Sequence, residues 1–319
     1  MNYRAFGRTG WQVSEVGYGM WGMGGWTGSN DDESLASLER AVDLGCTFFD
    51  TAWVYGQGHS ERLLGQLLRA RPNARVYCAT KLPPKDLKWP TASGSPLAAT
   101  YPAGHIRESA EKSLANIGVG TRDLLQFHTW LDAWAEDDEW QRAVAALKAE
   151  GLVRAVGISV HRWEPDSCLR ALRTGLIDSV QVVYNVFDQA PEDTLFPACR
   201  ERGVAVIARV PFDEGTLTGT LTRASTWPEG DFRNGYFAGE KLATSVARAE
   251  RLRSDLPAGM TMPELALRFI LAHPDVATVI PGMRRLAHVE SNLAVSDGRP
   301  LEPAVIQRLR AHRWDRTAG

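Results

Sequence analysis

The chain has few cysteines, no excess of charge and no long apolar run. Its four cysteines, Cys46, Cys78, Cys168 and Cys199, are scattered through 319 residues with no C-x-x-C pair and no histidines at ligand spacing. That pattern excludes a disulfide framework and a zinc site and leaves reduced, buried thiols. The 36 Lys and Arg stand against 38 Asp and Glu, a formal net charge of −2, so nothing electrostatic favours nucleic acid or anionic lipid as a partner. No stretch approaches the ~20 apolar residues of a membrane helix. The opening Met1-Asn2-Tyr3-Arg4 lacks the apolar run of a signal peptide. A cytoplasmic protein without membrane or metal is expected. Linkers and internal repeats are missing too, which points to one domain over residues 1–319. With 44% hydrophobic residues the chain can bury a large core, and small-molecule chemistry is the default.

What is present is an alternation. Short apolar runs at 15–19, 46–50, 76–81, 124–128, 153–159, 179–184, 204–209 and 276–280 read as strands. Between and after them, amphipathic patterns at 31–44, 60–69, 103–116, 138–150, 163–174, 195–202, 262–272 and 286–296 read as helices. Eight such pairs imply an α/β chain closed as a (β/α)8 TIM barrel. Acidic residues after Asn30 and the proline of Met262-Pro263-Glu264 mark helix starts, while Gly45 and Gly151 stand where helix ends are expected. Tyr3-Arg4-Ala5-Phe6 and Val13, flanking Arg8-Thr9-Gly10, suggest an N-terminal β-hairpin plugging the barrel bottom. Two stretches, 82–102 and 211–239, are too long for ordinary connections. Both follow strands, so both belong to the C-terminal, catalytic face, as substrate wall and cofactor lid.

Polar residues interrupt the apolar strands at informative places. Asp50, Lys81 and His128 each end an expected strand, where a barrel delivers side chains to its mouth, and Tyr55 follows Asp50 by five residues. Together they form a workable proton donor. A free phenol, pKa near 10, is a weak acid at neutral pH, and the Lys81 ammonium would stabilise its phenolate and lower that value. Asp50 would keep Lys81 charged and oriented, while His128 would hydrogen-bond a substrate carbonyl oxygen.

The run Gly45-Cys46-Thr47-Phe48-Phe49-Asp50-Thr51-Ala52-Trp53-Val54-Tyr55-Gly56, followed by Ser60-Glu61-Arg62-Leu63-Leu64-Gly65, resembles the first signature of the aldo-keto reductase superfamily. Ala79-Thr80-Lys81 resembles its lysine strand and Asp123-Leu124-Leu125-Gln126-Phe127-His128 its histidine strand. Ile280-Pro281-Gly282 with Arg284 and Asn292 resembles its last cofactor segment. The resemblance implies an NADP-dependent oxidoreductase that reduces a small-molecule aldehyde or ketone to an alcohol. Tyr55, Lys81, Asp50 and His128 would be its catalytic tetrad. It places the nicotinamide carboxamide on Ser159 and Gln181, with Val160 where relatives carry asparagine. Arg209 stands where relatives stack an aromatic on the nicotinamide ring, and its charge would favour NADPH over NADP⁺. The pyrophosphate would lie under Pro211, Phe212, Gly215, Thr216 and Leu217. Arg284, with Arg285 beside it, matches the grip on the adenosine 2′-phosphate, Asn292 belongs to the same cofactor segment, and His288 and Ser291 stand where relatives often carry glutamine and glutamate. Gly19, Met20 and Gly282 complete the implied cofactor set.

Gly17-Tyr18-Gly19-Met20-Trp21-Gly22 also satisfies the G-x-G-x-x-G fingerprint, but no helix opens at the third glycine, so it is read as a flexible first loop rather than a phosphate loop. Trp21, Trp26, Trp53, Trp89, Trp130 and Trp227 fall after strands or in the long loops, as candidate pocket walls. Two other functions are compatible with the resemblance: an NADPH-binding regulatory subunit, or an NADP-assisted isomerase or dehydratase. Oligomeric state is left open by the residues.

Overall fold

The computed structural model describes residues 1–25 and 28–316. An antiparallel pair, β1 (Tyr3–Ala5) and β2 (Gln12–Ser14), precedes eight strands: β3 (Tyr18–Gly19), β4 (Phe48–Asp50), β5 (Tyr77–Leu82), β6 (Arg122–Phe127), β7 (Val153–Ser159), β8 (Ser179–Val183), β9 (Ala205–Arg209) and β10 (Val276–Val279). These eight pair in parallel and in chain order. The seam between first and last is drawn together by Gly17 N donating to Val279 O at 2.8 Å and Gly19 N to Pro281 O at 2.9 Å. A Cβ at Gly19 would sit 2.7 Å from the Ile280 carbonyl oxygen, so the close approach of the seam requires glycine there. The apparent dinucleotide fingerprint is thus partly a packing feature of barrel closure, and it leads into a 3-10 turn at Trp21–Met23; among the described residues the next helix begins at Asp31.

The principal helices are α1 (Asp31–Asp43), α2 (His59–Ala70), α3 (Leu97–Thr100), α4 (Ala103–Ile117), α5 (Asp138–Ala149), α6 (Leu169–Arg173), α7 (Leu195–Arg202), α8 (Arg233–Tyr236), α9 (Lys241–Arg253), α10 (Met262–Leu271), α11 (Leu286–Leu293) and α12 (Pro303–Arg310). The Asn30 side chain accepts from Glu33 N at the start of α1, and Thr261 from Glu264 N at the start of α10. Apolar strands and the inner faces of these helices form the main core. A second apolar cluster fills the barrel bottom, where Phe6 and Trp11 stack at 5.6 Å and Trp11 and Tyr77 at 5.2 Å. The hairpin is therefore a plug, and the polar groups are left to the opposite end.

Three departures from the expected elements matter. The helix expected over 163–174 is only Leu169–Arg173; Pro165 lies in the part that stays a turn, and Arg162 before it is ion-paired to Asp213 and Glu214. Helices α9 and α12 lie outside the eight-pair alternation and bury few apolar side chains, Ala249 and Leu252 in one and Val305 and Leu309 in the other. The two long stretches carry some order: α3 in the first, a 3-10 segment Asp213–Thr218 and α8 in the second.

Candidate active site

The ends of β4, β5 and β6 bring four reactive side chains together. Register pairs Asp50 with Ala79 and Lys81 with Gln126, which aligns these strand ends at the mouth. Lys81 Nζ donates to Asp50 Oδ2 at 2.6 Å, to the Thr51 carbonyl at 2.8 Å and to Tyr55 Oη at 3.3 Å. The Tyr55 and His128 rings meet edge to face, 6.0 Å between centroids. Asp50 and Lys81 are 2% and 1% exposed, so the pair is sealed from water and each charge relies on the other.

Asp50 has a second set of partners that sequence reasoning missed. Its Oδ1 accepts from Gln126 Nε2 at 3.1 Å and from Gln181 Nε2 at 2.8 Å. One carboxylate oxygen thus faces the ammonium and the other is held by two neutral amides, which fixes its orientation without adding charge. The available signal for Gln126 was parity, since it lies two residues before His128 within the expected strand 124–128, although β6 itself ends at Phe127.

The electrostatics corrects one expectation. Tyr55 was expected to have a lowered pKa; burial instead raises it above the ordinary tyrosine value, and the Lys81 ammonium only partly offsets that. Removing a phenolate from water costs more here than the neighbouring cation returns. For Lys81, burial pulls the pKa down, yet the Asp50 carboxylate and Tyr55 prevail and it stands above its usual value. Burial, together with Lys81 and Arg209, holds His128 well below the usual histidine pKa. At neutral pH the site therefore holds a protonated phenol, a charged lysine and a neutral imidazole whose buried Nδ1 has no partner.

The other expected residues divide into several groups. Ser159 and Arg209 end β7 and β9 while Gln181 lies in the middle of β8, and Arg209 donates from Nη2 to the Val160 carbonyl at 3.0 Å while its buried Nε is unpartnered. Gln181 spends both donor contacts on Asp50 and Gln126, so only its carbonyl oxygen is free of them. Pro211, Phe212, Gly215, Thr216 and Leu217 lie on the turn after β9, where Gly215 has φ +108° and the buried Thr216 hydroxyl has no partner. Met20 and Leu217 turn fully buried side chains into the core. Gly19 and Gly282 face each other across the seam. Arg284 donates to the Gly22 carbonyl at 3.3 Å, and His288, whose pKa is lowered by burial and by Arg285 and Arg284, lies near the same cations. Asn292 is buried on α11.

The tryptophans also part company. Trp89 is 41% exposed and lies 5.4 Å from the His128 ring, against the reactive groups. Trp21, equally exposed, packs on Phe232 of the second long stretch at 4.8 Å. Trp227 stacks on Phe237 at 5.0 Å, and Trp53 lies under the Lys112 ammonium of α4 at 4.6 Å. Trp130 corrects the expectation of a pocket wall: it is 1% exposed and packed among Phe127, Trp134 and Trp140, a core residue. Trp26 lies outside the described residues. Among the described residues there is no cluster fit to hold a metal ion and no helix long and apolar enough to cross a membrane.

Fold and site together define a barrel enzyme with its ionisable groups gathered at the C-terminal mouth. The chain belongs to the aldo/keto reductase family of oxidoreductases, whose profile matches residues 15–313. It is 31% identical over 317 residues to the oxidoreductase YqkF of Bacillus subtilis, covering 98% of this chain and 96% of that protein. It is 29% identical to an NADH-specific methylglyoxal reductase of Escherichia coli, over 90% of this chain and 91% of that one. Among solved structures, the holo form of aldo-keto reductase AKR11C1 from Bacillus halodurans superposes with a TM-score of 0.79 at 28% identity, covering 100% and 98% of the two chains.

Proposed function

We propose that this protein reduces an aldehyde or ketone to an alcohol with NADPH, and that Tyr55 gives the proton. The observation that carries the reading is the Lys81 ammonium at 3.3 Å from the Tyr55 hydroxyl and 2.6 Å from Asp50. Tyr55 stays protonated through the neutral range, because burial keeps its pKa high. As negative charge develops on the substrate oxygen, Lys81 stabilises the phenolate that Tyr55 becomes, and Asp50 keeps Lys81 in place. Neutral His128 donates a hydrogen bond to the same oxygen and orients the carbonyl.

The turn after β9 fits a dinucleotide. Its orphaned Thr216 hydroxyl is a polar group lacking a protein partner, and Gly215 leaves room for close approach. Pro211, Phe212 and the backbone of Leu217 would border the pyrophosphate, with Gly19, the backbone of Met20, Gly282, His288 and Asn292 along the remainder of the cofactor. Arg284 and Arg285 would take the 2′-phosphate, which favours NADPH over the NADH named for the Escherichia coli relative. Ser159 and the Gln181 carbonyl oxygen would take the carboxamide, and the Arg209 guanidinium would lie on the nicotinamide. Bound NADPH supplies the hydride. The exposed Trp89 and Trp21 rings would flank a small-molecule carbonyl compound.

The test is incubation of the purified protein with NADPH and a panel of aldehydes and ketones, with analysis of product and cofactor together. Stoichiometric alcohol and NADP⁺ support the reading. Product formed without net NADPH oxidation would assign an isomerase or dehydratase, and tight NADPH binding with no turnover across the panel would assign a regulatory subunit.

A further inference from the structure

The turn after β9 is held in an unusual shape by charges that the proton-transfer chemistry does not use. Val210, Asp213 and Glu214 all have left-handed backbone, with φ of +56°, +46° and +55°. Non-glycine residues persist there only where the surroundings hold them. The Val210 carbonyl accepts from Asn185 Nδ2 at 3.1 Å, and two guanidiniums hold Asp213 and Glu214. Arg162, from the loop after β7, donates to Asp213 Oδ1 at 2.6 Å, to Glu214 Oε1 at 2.9 Å and to Asp188 at 3.3 Å. Arg316, from the tail beyond α12, donates to Asp213 Oδ1 at 2.9 Å, to Asp213 Oδ2 at 3.3 Å, to Tyr236 Oη at 3.0 Å and to Asp188.

The tail is seated to deliver that side chain. Trp314 N donates to the Phe187 carbonyl at 2.8 Å, and its ring lies beneath Arg248 at 4.2 Å and Arg316 at 4.5 Å. Asp213 is fully buried, and Tyr236 Oη donates to it at 3.1 Å, so the same contact ties α8 and the far end of the long stretch to the turn. Burial would raise the Asp213 pKa, yet Arg316 and Arg162 keep it below the ordinary carboxylate value.

Charge gives this contact its meaning. Three carboxylates, Asp188, Asp213 and Glu214, face two guanidiniums in the cluster. A turn carrying two of these carboxylates repels a pyrophosphate unless both are covered. Removing Arg316 leaves the three carboxylates ion-paired to Arg162 alone, with Arg209 acting on Glu214 without an ion pair, and frees the turn to leave its strained shape.

We propose that Arg316 is a positioning residue for dinucleotide binding: the C-terminal tail clamps Asp213, masks its charge and sets the turn in the form that receives the pyrophosphate. The inference rests on the reading that this turn takes the cofactor. It separates Arg316 from Arg284 by a clear criterion. Arg284 reads the 2′-phosphate, present only in NADPH, whereas Arg316 acts on the part that NADPH and NADH share.

The experiment measures Kd and release rate for NADPH and NADH, by fluorescence titration and stopped flow, in the wild type, R316Q, R316K and T216V. For R316Q, Kd rises about tenfold or more for both cofactors through faster release, as expected for loss of a charge-assisted contact. KM for NADPH rises while kcat at saturation stays within about threefold, and R316K recovers part of the affinity. Unchanged affinity and release in R316Q, with T216V weakened, overturns the clamp and leaves the turn as the cofactor site. Loss confined to NADPH, or R316K no better than R316Q, also overturns it. A wild type that binds neither cofactor, or a silent T216V, overturns the reading beneath and the clamp with it.

Discussion

The two sides of the barrel mouth solve opposite problems. On the side of β4 to β6, one carboxylate and one ammonium are sealed together at 2.6 Å, and the spare oxygen of Asp50 is held by two uncharged amides. The groups stand on or beside strands, so their positions are set by the sheet. On the side of β7 to β9, three carboxylates and two guanidiniums come from separate loops and the tail, and three residues carry strained backbone. A fixed arrangement with balanced charge suits proton transfer to one atom, where a small displacement is costly. A surface assembled from loops suits a large anionic partner that must arrive and leave. Under the proposed function, the contrast is a division of labour across the mouth.

Substitutions on the two sides therefore have different signatures. The largest effect belongs to Lys81→Met: turnover falls by about 10² to 10⁴, the range for loss of acid–base assistance. It also costs roughly 3–5 kcal/mol of stability, because Asp50 is left buried and unpaired. Single-turnover rates and denaturant midpoints check both, and full stability with full turnover would erase the contrast. Next, Arg284→Ala raises Kd for NADPH about 10- to 100-fold, as expected for a charged hydrogen bond, while kcat and the NADH affinity stay nearly constant. Equal losses for both cofactors would remove Arg284 from the phosphate role.

The pH profile sharpens the same division. Reduction needs Tyr55 protonated, and its pKa is raised, so kcat/KM for the carbonyl stays flat through neutrality and falls only above the ordinary tyrosine range. Oxidation of the alcohol needs the phenolate and rises with pH over the same span. An inflection near the usual histidine value would show that His128 titrates in the free enzyme, against its depressed pKa. The smallest effect is Trp89→Ala, which lowers kcat/KM for an aromatic aldehyde by about 2- to 12-fold, the worth of one aromatic contact, and leaves a short aliphatic aldehyde unaffected. Equal losses on both would move Trp89 from the substrate to the support of His128, its 5.4 Å neighbour.

Legibility in the sequence follows the same line. Asp50, Lys81 and His128 could be read because each interrupts an apolar strand at its end, and Tyr55 because it follows one of them closely. The eight strands were legible as short apolar runs alternating with amphipathic helical patterns. The Arg162, Asp213 and Arg316 cluster was not, since its members span 162 to 316 and no spacing announces them. Trp130 was misplaced because a tryptophan after a strand can turn to either side, and here a cage of aromatic rings takes it inward. The direction of the Tyr55 shift depended on the depth of burial, a property of the folded chain.

The most direct test of the account is single-turnover reduction by the Tyr55→Phe variant, with NADPH affinity measured on the same preparation. Loss of about 10² or more in the reduction rate with Kd for NADPH nearly unchanged is the result expected of a proton donor that takes no part in holding the cofactor. A variant that reduces the carbonyl as fast as the wild type would contradict the assignment of Tyr55 as the acid.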